Sequence, residues 1–181
     1  MHSIFARINN TSALLSSCMM ALLAAIALST LVFTARPEGN VSVASVQVYS
    51  GNTRRYATKR QDLAFVDFNI TADFAPLFNW NTKQIFLYLQ AEYNTTTGIK
   101  NEAVIWDRII RRKEEANVNV IGKNKYNLRD LSTNFKNAPP ASYSLKYNIM
   151  PYVGALTYGE AARNLRTCCV PPAKDPCIIF V

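Results

Sequence analysis

The sequence holds one histidine, His2. A Ser-His-Asp hydrolase, a Cys-His protease or a His-ligated metal site would have to use it. A nucleophilic serine or cysteine needs a base within hydrogen-bond reach. The lysine alternative in the form S-x-x-K does not occur, and neither do GxSxG, HExxH, a Walker A loop or GxGxxG. Two acidic pairs, Glu114-Glu115 and Asp62 with Asp67, read as solvated surface. Cys168, Cys169 and Cys177 sit together near the C-terminal end. One disulfide from Cys177 to either neighbour is open to an oxidising compartment. Zinc would need a fourth ligand, which neither CxxC spacing nor a histidine supplies. No pattern here calls for a cofactor or a metal.

The basic residues form two clusters, Arg54, Arg55, Lys59 and Arg60, and then Arg111, Arg112 and Lys113. Nucleic-acid binding would want basic residues interleaved with exposed aromatics. Here the aromatics fall on alternating, core-like positions, so nucleic acid is not expected as a partner. The clusters read as solvated loops, with lipid headgroups or an acidic partner face as the alternatives.

The chain has 181 residues, a net charge of +8 and 49% hydrophobic residues. That composition excludes a disordered tail protein. Eight prolines and six glycines exclude collagen-like chains, and four cysteines are too few for a disulfide scaffold. No charge occurs from Ile8 to Ala35, and Ala13–Ala35 is rich in Leu, Ile, Val and Phe between Arg7 and Arg36. As a helix this stretch rises roughly 35 Å, enough to cross a bilayer core of about 30 Å. Ala25-Ile26-Ala27 has the form of a signal-peptide cleavage site, but the apolar run continues past it to Ala35, which favours an uncleaved anchor. Counting positive charges near the span would put the C-terminal side in the cytoplasm. Long domains translocate largely regardless of charge, and that side carries three N-x-[ST] sequons, at Asn40, Asn69 and Asn94. Residues alone leave the orientation open.

From Arg36 on, alternation is the main signal. Tyr143, Leu145, Tyr147 and Ile149 alternate with polar residues and Pro151 ends the run, giving a half-buried strand. Val66, Phe68 and Ile70 give another. Ile85–Tyr93 is apolar on both faces at its start and reads as a central strand. Val104, Trp106, Arg108 and Ile110 form one face of the next strand, with Ile105 and Ile109 on the other and a hairpin loop at Asn94–Gly98 between the two strands. Val41–Tyr49 is a further strand whose phase breaks near Ala44-Ser45, as at a bulge. Val118–Ile121 is a short strand, and Leu128–Phe135 a helical turn or loop. Five or six strands without long amphipathic helices point to a mainly β, antiparallel sandwich.

Within this frame Asp62–Trp106 becomes specific. It holds Phe68-Asn69-Ile70-Thr71-Ala72-Asp73, Phe78-Asn79-Trp80-Asn81, Lys83-Gln84-Ile85-Phe86-Leu87-Tyr88-Leu89, Ala91-Glu92-Tyr93 and Val104-Ile105-Trp106-Asp107. Tyr147-Asn148-Ile149-Met150-Pro151 and Gly154 fit a late strand and its turn. This pattern resembles the signal peptidase complex subunit 3 family, the 22/23-kDa subunit of the endoplasmic reticulum enzyme, over roughly residues 5–155. The resemblance implies a single-pass type II membrane protein of the endoplasmic reticulum, with a cytosolic tail at 1–12, a signal-anchor helix at 13–35 and a luminal β-sandwich-like domain at 36–181. It also implies a non-catalytic subunit needed for removal of signal peptides, without cofactor, metal or small-molecule substrate. Its partners would be the catalytic subunit, the other small membrane subunits and the lipid bilayer.

Two departures from the family stand out. The sequon usual before the late strand is replaced by Ala138-Pro139-Pro140-Ala141-Ser142, so Asn40, Asn69 and Asn94 are the candidate glycosylation sites. After Leu156 the likeness stops, and where a further strand is expected the chain gives Thr167-Cys168-Cys169-Val170-Pro171-Pro172, so 156–181 reads as a divergent tail. Phe78, Trp80, Asn81, Lys83 and Gln84 are the candidate partner interface. Trp80 follows Pro76 in a corner, either capping the core or exposed as an anchor. A stand-alone membrane-anchored binding or adhesion domain is the alternative that composition permits.

Overall fold

The computed structural model describes residues 3–33, 35–52, 60–94, 98–129, 141–168 and 177–178. Helix α1 spans Ile4–Ser29 and passes into a 3-10 turn at Thr30–Val32. It begins before the apolar run and ends before Ala35, because a helix stops where its backbone bonding stops, not where hydropathy does. At about 1.5 Å per residue it is long and apolar enough to cross a membrane. Four of its five hydroxyls are satisfied within the helix. Thr11 donates to the Arg7 carbonyl (3.0 Å), Ser16 to Ala13 (2.9 Å), Ser17 to Leu14 (2.8 Å) and Ser29 to Ile26 (2.7 Å). Such bonding removes the cost of unpaired polar groups in an apolar medium.

The remaining elements form a sandwich. Strands β1 (Glu38–Asn52), β2 (Arg60–Asp73), β5 (Asn117–Lys123), β6 (Leu128–Arg129) and β9 (Cys177–Ile178) make one antiparallel sheet in the order β5-β2-β1-β9, with β6 also on β2. Strands β3 (Thr82–Asn94), β4 (Lys100–Ile110), β7 (Ala141–Pro151) and β8 (Thr157–Cys168) make the other, in the order β4-β3-β7-β8. Residues 128–129 are therefore a short strand, and the rest of the segment read as a turn or loop lies outside the described residues. The chain after Leu156 carries β8, antiparallel to β7, where the sequence had suggested a tail without the expected strand. Its polar residues stand on an edge strand, so they break no buried alternation, and Pro171-Pro172 fall beyond its end.

The core lies between the sheets. Val41, Val43, Val46, Val48, Val66, Phe68 and Ile70 face Ile85, Leu87, Leu89, Tyr143 and Leu145. The phase break expected in β1 is a bulge: the register with β2 slips between Val43 and Ser45, so the inward positions change from odd to even. A second bulge corrects the reading of β4. Leu89 pairs with Trp106 but Gln90 with Val104, leaving Ile105 as the extra residue. Ile105 is buried and Val104 exposed, while Trp106 packs edge-on against Phe68 with centroids 5.8 Å apart.

Tyr147, on the inner face of β7, lies across Gly159 in the facing strand and packs edge-on against Phe74. A Cβ at position 159 would collide with the phenol ring. Gly159→Ala should lower stability by about 1–3 kcal/mol in denaturant unfolding of the detergent-solubilised chain. Replacing Tyr147 by Leu in that variant should recover part of the loss.

Candidate functional site

Strand β3 turns every second residue away from the core. Gln84, Phe86, Tyr88, Gln90 and Glu92 stand on the outer face of the four-stranded sheet. Ile109 and Asn148 flank Phe86, Asp107 and Lys146 flank Tyr88, and Val104 and Ser144 flank Gln90. This face has two halves.

The half near the start of β3 is apolar. The Phe86 and Tyr88 rings stack at 5.6 Å and 27°, and Ile109 and Tyr158 are exposed beside them. The Gln84 amide donates to the Met150 sulfur at 2.9 Å. The Asn148 side-chain oxygen is buried without a hydrogen-bond partner among the described residues. A buried acceptor left unpaired costs free energy until a donor reaches it.

The other half is ionic. Glu92 is buried and accepts from Lys146 Nζ at 2.8 Å and Ser144 Oγ at 3.2 Å, with Lys100 at 3.5 Å and Arg163 at 3.6 Å. Gln90 donates to Glu102 at 2.6 Å. The Lys146 hydrogen bond is the main reason that the Glu92 carboxyl is pushed down to about 2; burial opposes it, and the Lys146 charge, Ser144 and Arg163 add to it. An aromatic centre with a charged border is the usual anatomy of a protein–protein contact.

The five residues proposed from the sequence as an interface do not share one surface. Phe78 packs against the core. Asn81 is buried: its amide donates to the Val153 carbonyl at 2.7 Å and its side-chain oxygen accepts from the Val153 N–H at 3.1 Å. Trp80 is exposed at the corner before β3, Lys83 is exposed as the second residue of β3, and of the five Gln84 alone lies on the outer sheet face. Asp62 is buried rather than solvated, because it sits within β2 opposite Ser50. Asp67 is half-buried and accepts from Ser45 at 2.7 Å, whereas Glu114 and Glu115 are exposed in a 3-10 turn. Asn40 and Asn94 are exposed, the latter at the mouth of the β3–β4 hairpin, and Asn69 is half-buried within a central strand. Cys168 ends β8 opposite Ala141 and Cys177 opens β9 opposite Val46, while Cys169 and residues 53–59 lie outside the described residues.

A sequence profile described as signal peptidase subunit matches residues 1–171. The chain belongs to the signal peptidase subunit family. It is 36% identical over 168 residues to signal peptidase complex subunit 3 of Caenorhabditis briggsae, covering 91% of this chain and 92% of that protein. The protein of the same name from Caenorhabditis elegans is 38% identical over 159 residues, covering 86% and 87%. That from Gallus gallus is 35% identical over 161 residues, covering 86% and 87%. The match to residue 171 takes in β8, so family likeness extends past Leu156.

The ionic half of the outer face was not foreseen. Its signal was the polar alternation of Gln90 and Glu92 at the end of an otherwise apolar run, but the register that brings Lys146 and Arg163 beside it joins residues far apart in the chain. Because the Glu92 carboxyl titrates lower in the fold than in the unfolded chain, its stabilisation is present above about pH 4.5 and is lost as pH falls toward 2. Glu92→Gln should flatten the acid limb of the stability profile in that window and cost about 1–3 kcal/mol at neutral pH, read by denaturant unfolding at a series of pH values.

Proposed function

We propose that the chain is a non-catalytic accessory subunit of the endoplasmic reticulum signal peptidase complex, which holds the catalytic subunit in place while signal peptides are removed. In this reading α1 is a signal-anchor helix whose first turn faces the cytosol, and the sandwich lies in the lumen. Family membership carries the reading. Two physical features support it. The one histidine precedes the helix, so the sandwich has no imidazole. The outer face of the four-stranded sheet presents stacked aromatics and a charged border, as a scaffold surface needs.

That face, centred on Phe86 and Tyr88 and bordered by Gln84, is the proposed seat of the catalytic subunit. Phe86→Ala should weaken co-purification with that subunit in mild detergent by about tenfold or more, with the sandwich still folded. Leu87→Ala, one position away but inside the core, should instead lower the stability and yield of the chain itself. Co-purification unchanged by Phe86→Ala would contradict the proposed seat, and absence of any co-purifying peptidase subunit would favour a stand-alone domain.

Orientation has its own test. Asn94 is exposed on a hairpin at the end of the sandwich remote from α1, so it is the best-placed acceptor for a glycan. On microsomes the chain should gain an endoglycosidase-sensitive glycan that Asn94→Gln removes. Protease digestion of the sandwich on intact vesicles would contradict the luminal placement.

A further inference from the structure

The end of the sandwich nearest α1 is built as one rigid rim. Trp80 lies in the corner before β3, and Tyr152 and Leu156 lie in the turn between β7 and β8. Asn81 ties the two together: its carbonyl accepts from the Tyr152 N–H at 2.8 Å, and its side chain bonds both the N–H and the carbonyl of Val153. Within the corner, Thr82 Oγ1 donates to the Leu77 carbonyl at 3.0 Å, and the Asn81 N–H to the Asn79 side chain at 3.0 Å. The turns that carry Trp80 and Tyr152 are therefore held together, yet these two side chains are 59% and 67% exposed, and Leu156 is 49% exposed.

The helix fixes the depth of this rim. Gly154, with φ of +120°, lies at the tip of the same turn, and a Cβ there would be 3.5 Å from the Ala27 Cβ. Ala27 lies two residues before the end of α1, about 3 Å along its axis. Tyr152 and Leu156, either side of Gly154, thus lie at the level of the last turn of the helix. Trp and Tyr concentrate at that level in membrane proteins because a ring with one polar atom suits the boundary between headgroups and acyl chains.

Charge also bears on the occupant. Lys83 is the second residue of β3, and Arg111, Arg112 and Lys113 follow β4, whose Ile110 pairs with Ile85 at this same end. Asp73, Glu114 and Glu115 stand among them. The two signs nearly cancel, so the attraction does not depend on anionic lipid. Such a density of charged side chains is unlike the centre of a protein interface, where Lys, Asp and Glu are depleted. It suits headgroups that carry both signs.

We propose that the Trp80–Tyr152–Leu156 rim rests in the headgroup zone of the bilayer and sets the height and tilt of the sandwich above it. The proposal rests on the reading of α1 as a membrane span. The test uses the full chain reconstituted in phosphatidylcholine vesicles, plain or brominated near the headgroup end of the acyl chains. The protein has two tryptophans, and Trp106 is packed against Phe68 between the sheets. Brominated lipid should quench the wild-type emission, and Trp80→Phe should abolish that quenching while leaving the remaining emission unchanged. A mid-helix reporter, Leu15→Trp in the Trp80→Phe background, should be quenched by lipid brominated deeper in the chain. Quenching at position 15 without quenching at Trp80 overturns the rim alone. No quenching at either overturns the membrane span and the rim with it. Loss of the Trp80 contribution when the catalytic subunit is reconstituted alongside would assign the rim to protein, and would also overturn the proposal.

Discussion

Strand β3 is paired on both sides, to β4 and to β7, and that double pairing fixes which of its side chains face inward. A slip of one residue against either neighbour would expose Ile85, Leu87 and Leu89 and drive Phe86, Tyr88 and Glu92 into the core. The inward set is fully buried among valines of the other sheet, so the register is strongly specified. The outward set is consequently presented in one fixed arrangement. Rigidity of the core and precision of the outer face are two consequences of the same strand pairing.

The junction between helix and sandwich obeys a similar economy. Asn81 is a buried polar residue whose amide is used at both ends, so it costs little to bury, and it joins two turns just beyond the last β3–β7 pair, Thr82 and Pro151. With Gly154 close against Ala27, the domain is not hung on a free tether. In the proposed reading this matters for scaffolding: a support that swung freely above the bilayer would not hold a neighbour's active site at a fixed height over its membrane-borne substrate.

Much of the fold was legible in the sequence because burial of one sheet face writes itself as period-two alternation. Tyr143–Ile149 and Val66–Ile70 show it directly, and the doubly apolar start of β3 announced a central strand. The bulge at Ala44 was visible as a break in phase, since both flanking halves of β1 are valine-rich. The bulge at Ile105 was not, because Val104, Ile105 and Ile109 are all apolar and two of them are exposed on the outer face; hydropathy does not separate an interface residue from a core residue. Edge strand β8 was hidden for the opposite reason: none of residues 157–164 is fully buried, so it carries little alternation. Asn81 read as surface by type, and only its contact with residue 153, far along the chain, makes it structural. The Glu92 cluster lay beyond reach for the same reason, as its cations come from β4, β7 and β8.

The central claim is that this chain supports a reaction carried out by another subunit. The direct measurement is cleavage of a signal-peptide-bearing precursor in vesicles containing the catalytic subunit alone, this chain alone, or both. The account predicts no cleavage by this chain alone and a clear gain when it joins the catalytic subunit. Cleavage by the lone chain, or an identical rate with and without it, would contradict the account.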